Sequence, residues 1–149
     1  MTPLAPHLTA FLRDHLPRER GASRHTIASY ADSFALLLRF ASDRLKCGPS
    51  ELRIEDLDVM LMRTFLDHLE SDRGNGGRSR NARFSAIRTF FRYIEYRVPA
   101  CLEQAMSIRA LPLKRTDTRL IDYLTRNEMK ALLDAPDSRA DSGLRDRAM

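Results

Sequence analysis

Apolar positions along the chain recur at three- and four-residue spacing, and this predicts helices nearly from end to end. Leu4, Leu8, Phe11 and Leu12 give a short first helix, closed by Pro17 and Gly21. Ser23 is placed as the N-cap of a long second helix reaching about Arg44. Its stripe is Ile27, Tyr30, Ala31, Phe34, Leu37, Leu38 and Ala41, and Cys47-Gly48-Pro49 breaks it. Asp58 is set to cap a third helix that turns Leu61, Met62, Phe65, Leu66 and Leu69 inward. The stretch Asp72 to Arg78, with Gly74-Asn75-Gly76-Gly77, reads as a flexible loop. Ser79 is expected to cap a fourth helix and Pro99 to end it, with a weaker helix over about Ala100 to Arg109.

The pattern then changes. Leu111-Pro112-Leu113-Lys114-Arg115-Thr116 reads as an extended linker. Arg119 to Tyr123 is expected to be extended, as one short strand. Thr125 and Glu128 have the spacing of a capping box, with Leu124 and Met129 as its hydrophobic staple. The helix they start runs through Leu132 and Leu133 and stops near Pro136. Ser142 to Met149 looks like the opening of another helix, without a C-cap, and predicts that the sequence continues in a longer protein. The expected organisation is a helical domain over 1–110, a linker over 111–118, and a fragment of a second domain over 119–149.

The fourth helix carries the chemistry. Phe84, Ile87, Phe91 and Ile94 form its apolar stripe. Asn81, Ser85, Arg88 and Arg92 line a different face, at 100° per residue. Arginine forks onto phosphate or guanine and asparagine pairs with adenine, so such a face suits a helix lying along DNA. The same face would also serve as a solvated surface on an ordinary bundle helix. Arg83 falls closer to the apolar stripe, where a salt bridge to an acidic residue of the third helix is an equal alternative.

Charge sharpens the picture. The chain of 149 residues carries a net +5, and residues 72–115 hold ten Lys/Arg against three Asp/Glu, a net +7. The flanking stretches 1–71 and 116–149 are each −1. An excess concentrated in one block points to a polyanion-facing surface, and nine of its ten cations are arginine, the forked donor. Arg78, Ser79, Arg80 and Asn81 open the fourth helix, where free N–H groups and the dipole favour phosphate. Lys114 and Arg115 put charge on the linker.

Other chemistries find no support. His7, His15, His25 and His68 form no HExxH pattern, Cys47 and Cys101 form no CxxC, and neither a P-loop nor GxGxxG occurs. No metal or cofactor is expected. No apolar run matches a membrane span, and the N-terminus lacks a secretory pattern.

The order of these residues resembles the N-terminal half of the tyrosine recombinases, the phage-integrase and Xer-like family. Ser23-x-x-Thr26-x-x-x-Tyr30 followed by Leu37 and Phe40 is similar to the family's opening helix. Phe65-Leu66-x-x-Leu69 is similar to the next. Asn81-Ala82-Arg83-x-Ser85-Ala86-Ile87-Arg88-x-Phe90-Phe91-x-Tyr93 resembles its most typical segment, and Pro112-x-Lys114-Arg115 its interdomain linker. Leu124-Thr125-x-x-Glu128-x-x-x-Leu132-Leu133 and Gly143-Leu144-Arg145-Asp146-Arg147-Ala148 resemble the entry to the catalytic domain.

The resemblance implies an all-α, SAM-like core-binding bundle of four to five helices, plus a short α/β catalytic-domain fragment. It implies duplex DNA as partner and a role in integration or recombination. It brings Arg24 and Thr26, at the start of the second helix, to the DNA backbone beside Arg78, Ser79, Arg80, Asn81, Ser85, Arg88, Arg92, Lys114 and Arg115; for Thr26, a place as Ser23's partner in a local cap is an equal alternative. The family's catalytic arginine, lysine, His-x-x-Arg pair and tyrosine nucleophile have no counterpart before Met149, so no catalysis is expected of this chain. Tyr30, Tyr93, Tyr96 and Tyr123 are not expected to sit in an oxyanion-stabilising Arg/His cluster. The parent protein would be a cytoplasmic, nucleoid-associated recombinase, tetrameric on synapsed DNA. The piece alone would be monomeric or weakly self-associating. The alternatives are a stand-alone helical DNA-binding regulator, or a protein-interaction module with an arginine-rich face.

Overall fold

The computed structural model describes residues 1–117 and 124–135. Six α-helices are found among them: α1 (Leu4–Ala10), α2 (Arg24–Leu45), α3 (Val59–Ser71), α4 (Gly77–Arg97), α5 (Leu102–Arg109) and α6 (Arg126–Asp134). The chain separates into two compact units, Met1–Thr116 and Asp117–Met149. The expected strand over 119–123 and the helix expected from Ser142 both lie wholly outside the described residues.

Helix α4 is the centre of the first unit. Seven of its residues are buried: Phe84, Ala86, Ile87, Phe90, Phe91, Tyr93 and Ile94. This is a wider arc than the four-residue stripe of the sequence, because α2, α3, α5 and the Phe11 ring pack around it rather than against one side. The Phe90 ring meets Phe11 and Phe34 edge-on, each at 5.3 Å between centroids. Phe11 also meets Tyr93 at 5.4 Å. Such aromatic pairs add about 0.5–1.5 kcal/mol each beyond the area they bury.

Local chemistry sets the helix ends. Ser23 Oγ accepts from Thr26 N at 3.2 Å, and Asp58 Oδ1 accepts from Leu61 N at 2.7 Å, so both expected caps form. Helix α2 stops through Lys46, which takes a left-handed φ of 56°. The cap of α4 is Gly76 rather than Ser79. The extended Gly76 lets the helix begin at Gly77, which shortens the loop and leaves Ser79 inside the first turn. Pro17 does not close the first helix. The chain runs on from α1 as a π-type helix over Phe11–Glu19 with Pro17 inside it. The wider turn moves backbone carbonyls away from the proline ring, and Gly21, at φ +59°, makes the actual stop.

The segment after α5 is docked rather than loose. Leu111 is buried, and Asn81 grips Lys114 in the manner of a second backbone: its Nδ2 donates to Lys114 O at 2.7 Å and its Oδ1 accepts from Lys114 N at 2.9 Å. Arg80 Nε lies 3.0 Å from Glu70 Oε1 on α3, and Lys114 Nζ pairs with the other oxygen of that carboxylate. One carboxylate thus ties α3, α4 and the linker together.

In the second unit, Thr125 and Glu128 form the expected capping box: Glu128 N donates to Thr125 Oγ1 at 3.3 Å and Thr125 N to Glu128 Oε2 at 2.7 Å. The Thr125 hydroxyl, donating to Glu128 Oε2 at 2.7 Å, and then that backbone bond hold the Glu128 carboxyl below its ordinary value. Leu124, Met129, Leu132 and Leu133 are all about half exposed.

Two outcomes test this packing. Phe90→Ala should lower the unfolding free energy by about 3–5 kcal/mol, read by urea denaturation, because the aromatic cluster cannot close over the void. Asn81→Ala should cost only about 1 kcal/mol. It should nevertheless raise hydrogen exchange sharply at the Lys114 amide, leaving the interior of α4 protected.

Candidate nucleic-acid interface

Two helix starts meet on one side of the first unit. His25, Ala28, Ser29, Asp32 and Ser33 of α2 face Ser79, Ala82 and Arg83 of α4 across an open groove. The α2 residues recur at three and four, as do those of α4, so each helix gives one stripe to the groove. Most are small, and a ligand backbone or base edge can come close. Arg24 and Thr26 flank His25 at the start of α2, and both are exposed. The Thr26 hydroxyl lies 3.1 Å from that of Ser23, so it also completes the local cap. Arg78 and Ser79 are exposed in the first turn of α4.

Further along α4, Ser85, Arg88, Thr89 and Arg92 line a shallow hollow together with Arg109 of α5. Arg109 is paired with Glu95, while Arg88 lies over the Phe84 ring at 5.9 Å. Arg92 is exposed and has no ion pair among the described residues. The Tyr30 hydroxyl reaches Thr89 Oγ1 at 3.5 Å, joining α2 to this part of α4.

The charged block is therefore divided between two tasks. Arg80, Arg97, Arg109 and Lys114 have carboxylate partners within the protein. Asn81 spends its amide on the linker. Its Oδ1 also accepts from Arg80 Nη1 at 3.2 Å, so it offers no idle edge for reading a base. Arg115 is exposed on the linker. Arg83 takes no salt bridge to α3, where Glu70 is already shared by Arg80 and Lys114. Its Nε is buried without a hydrogen-bond partner. Sequence periodicity set Arg83 near the core and gave no sign that α2 would leave a groove beside it.

The tyrosines have surroundings of their own. Tyr93 touches both an arginine and a histidine: Arg97 lies 4.1 Å from its ring centroid and the His15 ring 4.8 Å. Arg97 lies over the ring, and the His15 ring is tilted against it by 54°. Tyr93 is only 5% exposed, and burial pushes its phenol above the ordinary value, which disfavours a phenolate nucleophile. Glu19 completes this cluster. Its bonds to His15, at 2.7 Å, and to Arg97, at 3.0 Å, hold its carboxyl below the usual range. Burial likewise raises the Cys101 thiol. Among the described residues no His/Cys/Asp/Glu group could hold a metal ion, and no helix is long and apolar enough to cross a membrane.

Comparison with known proteins gives a consistent set of relatives. The model of the phage integrase N-terminal SAM-like domain matches residues 8–97, which takes in α2, α3 and α4 whole. Two Sinorhizobium fredii proteins, each named "Putative integrase/recombinase", are 46% identical over 145 residues and 40% identical over 144 residues. Each alignment covers 97% of this chain, but 44% and 51% of the respective relatives. The tyrosine recombinase XerC of Myxococcus xanthus is 31% identical over all 149 residues, 46% of its own length. The chain thus spans about half the length of the curated relatives it matches. No solved structure gives a significant match. With the capped α2, α3 and the arginine-bearing α4 all inside the matched segment, the chain belongs to the phage-integrase family through its N-terminal SAM-like domain.

Proposed function

We propose that this chain binds duplex DNA through α2 and the arginine-bearing α4, as the DNA-gripping part of a tyrosine recombinase acting in integration or site-specific recombination. The observation that carries this reading is the placement of charge. The one strongly basic block of the sequence, net +7 over residues 72–115, falls on and around the central helix of the matched domain. Where that helix turns to solvent it shows Arg88 and Arg92, and its first turn shows Arg78 and Ser79. Arg24 and Thr26 of α2 and Ser85 of α4 complete the contact surface, with Arg115 reaching the backbone from the linker. Arg80, Asn81 and Lys114, which sequence reading also assigned to DNA, act mainly by holding the linker and the start of α4 in place.

In this reading residues 1–110 are the DNA-binding domain, 111–118 the linker, and 119–149 the first part of a catalytic domain. The whole protein would work in the cytoplasm on the nucleoid, as a tetramer on synapsed DNA. The present chain would grip DNA without cutting it. Duplex recognition by helices needs no cofactor; phosphate contacts supply affinity and base edges supply specificity.

Binding should fall steeply with salt. With about four to six phosphates neutralised, log K should drop against log salt with a slope near −4 to −5, by fluorescence anisotropy. Arg88→Ala and Arg92→Ala should each weaken binding and flatten that slope by about one unit, with helicity by circular dichroism unchanged. A slope near zero in the parent chain would refute the proposal.

Suicide duplexes carrying a nick should yield no covalent protein–DNA product on a denaturing gel. A product abolished by Tyr→Phe substitution at Tyr30, Tyr93, Tyr96 or Tyr123 would show that the chain is itself a nucleophile.

A further inference from the structure

The groove between α2 and α4 holds an arrangement that general phosphate binding does not explain. Arg83 lines one wall and Asp32 the other, with His25 at the same opening. No ion pair joins Arg83 to Asp32, and the Arg83 side chain has no hydrogen bond among the described residues, though its Nε is buried. Other arginines of α4 are differently occupied: Arg80 by Glu70, Arg97 by Glu19 and the Tyr93 ring, Arg88 by the Phe84 ring. A buried guanidinium nitrogen left unpaired in the isolated chain is costly, and a bound partner that satisfies the group relieves the cost.

The chemistry of the two walls narrows that partner. A phosphate would be drawn to Arg83 and repelled by Asp32. A base-pair edge in the major groove offers both polarities at once. Guanine presents the O6 and N7 acceptors to a forked arginine, and cytosine the N4 donor to a carboxylate. Ala28, Ser29, Ser33, Ser79 and Ala82 have short side chains, which lets such an edge approach between the helices.

We infer that Arg83, with Asp32 opposite, reads a G·C pair, and that this groove sets sequence preference while the Arg88/Arg92 face supplies affinity. This rests on the duplex-binding reading above and adds a specificity-determining residue to it. Arg83 is five residues before Arg88, so it stands about 140° around the helix from it at 100° per residue. The two sites can therefore be altered separately.

The test is selection from a pool of duplexes with a randomised core, using the chain of residues 1–149 and the variants Arg83→Ala, Arg83→Lys and Asp32→Ala. The parent chain should enrich a site with a fixed G·C pair. Changing that pair to A·T should weaken its binding roughly tenfold to a hundredfold. In Arg83→Ala the penalty at that pair should fall to near onefold, with the salt slope on unselected duplex unchanged. Arg83→Lys should retain only part of the preference, because an ammonium cannot fork. Asp32 is exposed, so Asp32→Ala gives a folded variant should Arg83→Ala lose helicity; it should relax the same pair. Unaltered preference in folded Arg83 and Asp32 variants would overturn the inference alone. Equal weakening on every duplex would also overturn it, by making Arg83 a phosphate contact. A parent chain that binds no duplex would overturn the underlying reading, and the inference with it.

Discussion

Phe90 sits where Phe11, Phe34, Phe91 and Tyr93 converge, and the rest of the helical unit is arranged around that contact. The constraint it imposes is that α4 must be buried over a wide arc while carrying arginines at positions 78, 80, 83, 88, 92 and 97. Buried and charged positions alternate along the helix, so packing decides which arginines are handed to solvent. Arg88 and Arg92 are carried outward. Arg80 and Arg97 reach acidic groups at the edges of the bundle. Arg83 is caught at the seam with α2. The surface chemistry of this protein is thus a consequence of how its aromatic core orients one helix.

Ion pairing then divides the basic block. Glu70 absorbs Arg80 and Lys114, Glu95 absorbs Arg109, and Glu19 absorbs Arg97. Where such a pair is exposed, as Arg97–Glu19 is, it contributes little to stability, typically below about 1 kcal/mol. The larger effect of the pairs is positional. The Glu70 carboxylate and the Asn81 amide hold the linker through Lys114 against the start of α4.

Much of this was legible in the sequence, because it is local. Helical periodicity located α2, α3 and α4, and Ser23, Asp58 and Thr125 act as caps through neighbours only three residues away. The order of motifs from Ser23 to Tyr93 was enough to point to the family that the comparison shows. What was missed depends on distance or on backbone shape. Asn81 meets Lys114 across 33 positions, and no spacing rule anticipates that. Pro17 was read as a stop because an α-helix would clash with its ring, whereas the chain widens its turn instead. Gly76 displaced Ser79 as a cap because side-chain preference is only one way to begin a helix. The Arg83 groove needs α2 beside α4, and a single-helix projection cannot show it.

The central claim is that duplex DNA lies against the α2 and α4 helix starts and along the Arg88/Arg92 face. Hydrogen exchange of the chain with and without a saturating duplex tests it most directly. The account predicts new protection concentrated in residues 24–33 and 78–92, with little change in the π-helical segment Phe11–Glu19, which offers none of the proposed contacts. Protection confined to that segment or to α6, or no protection at saturation, would contradict it.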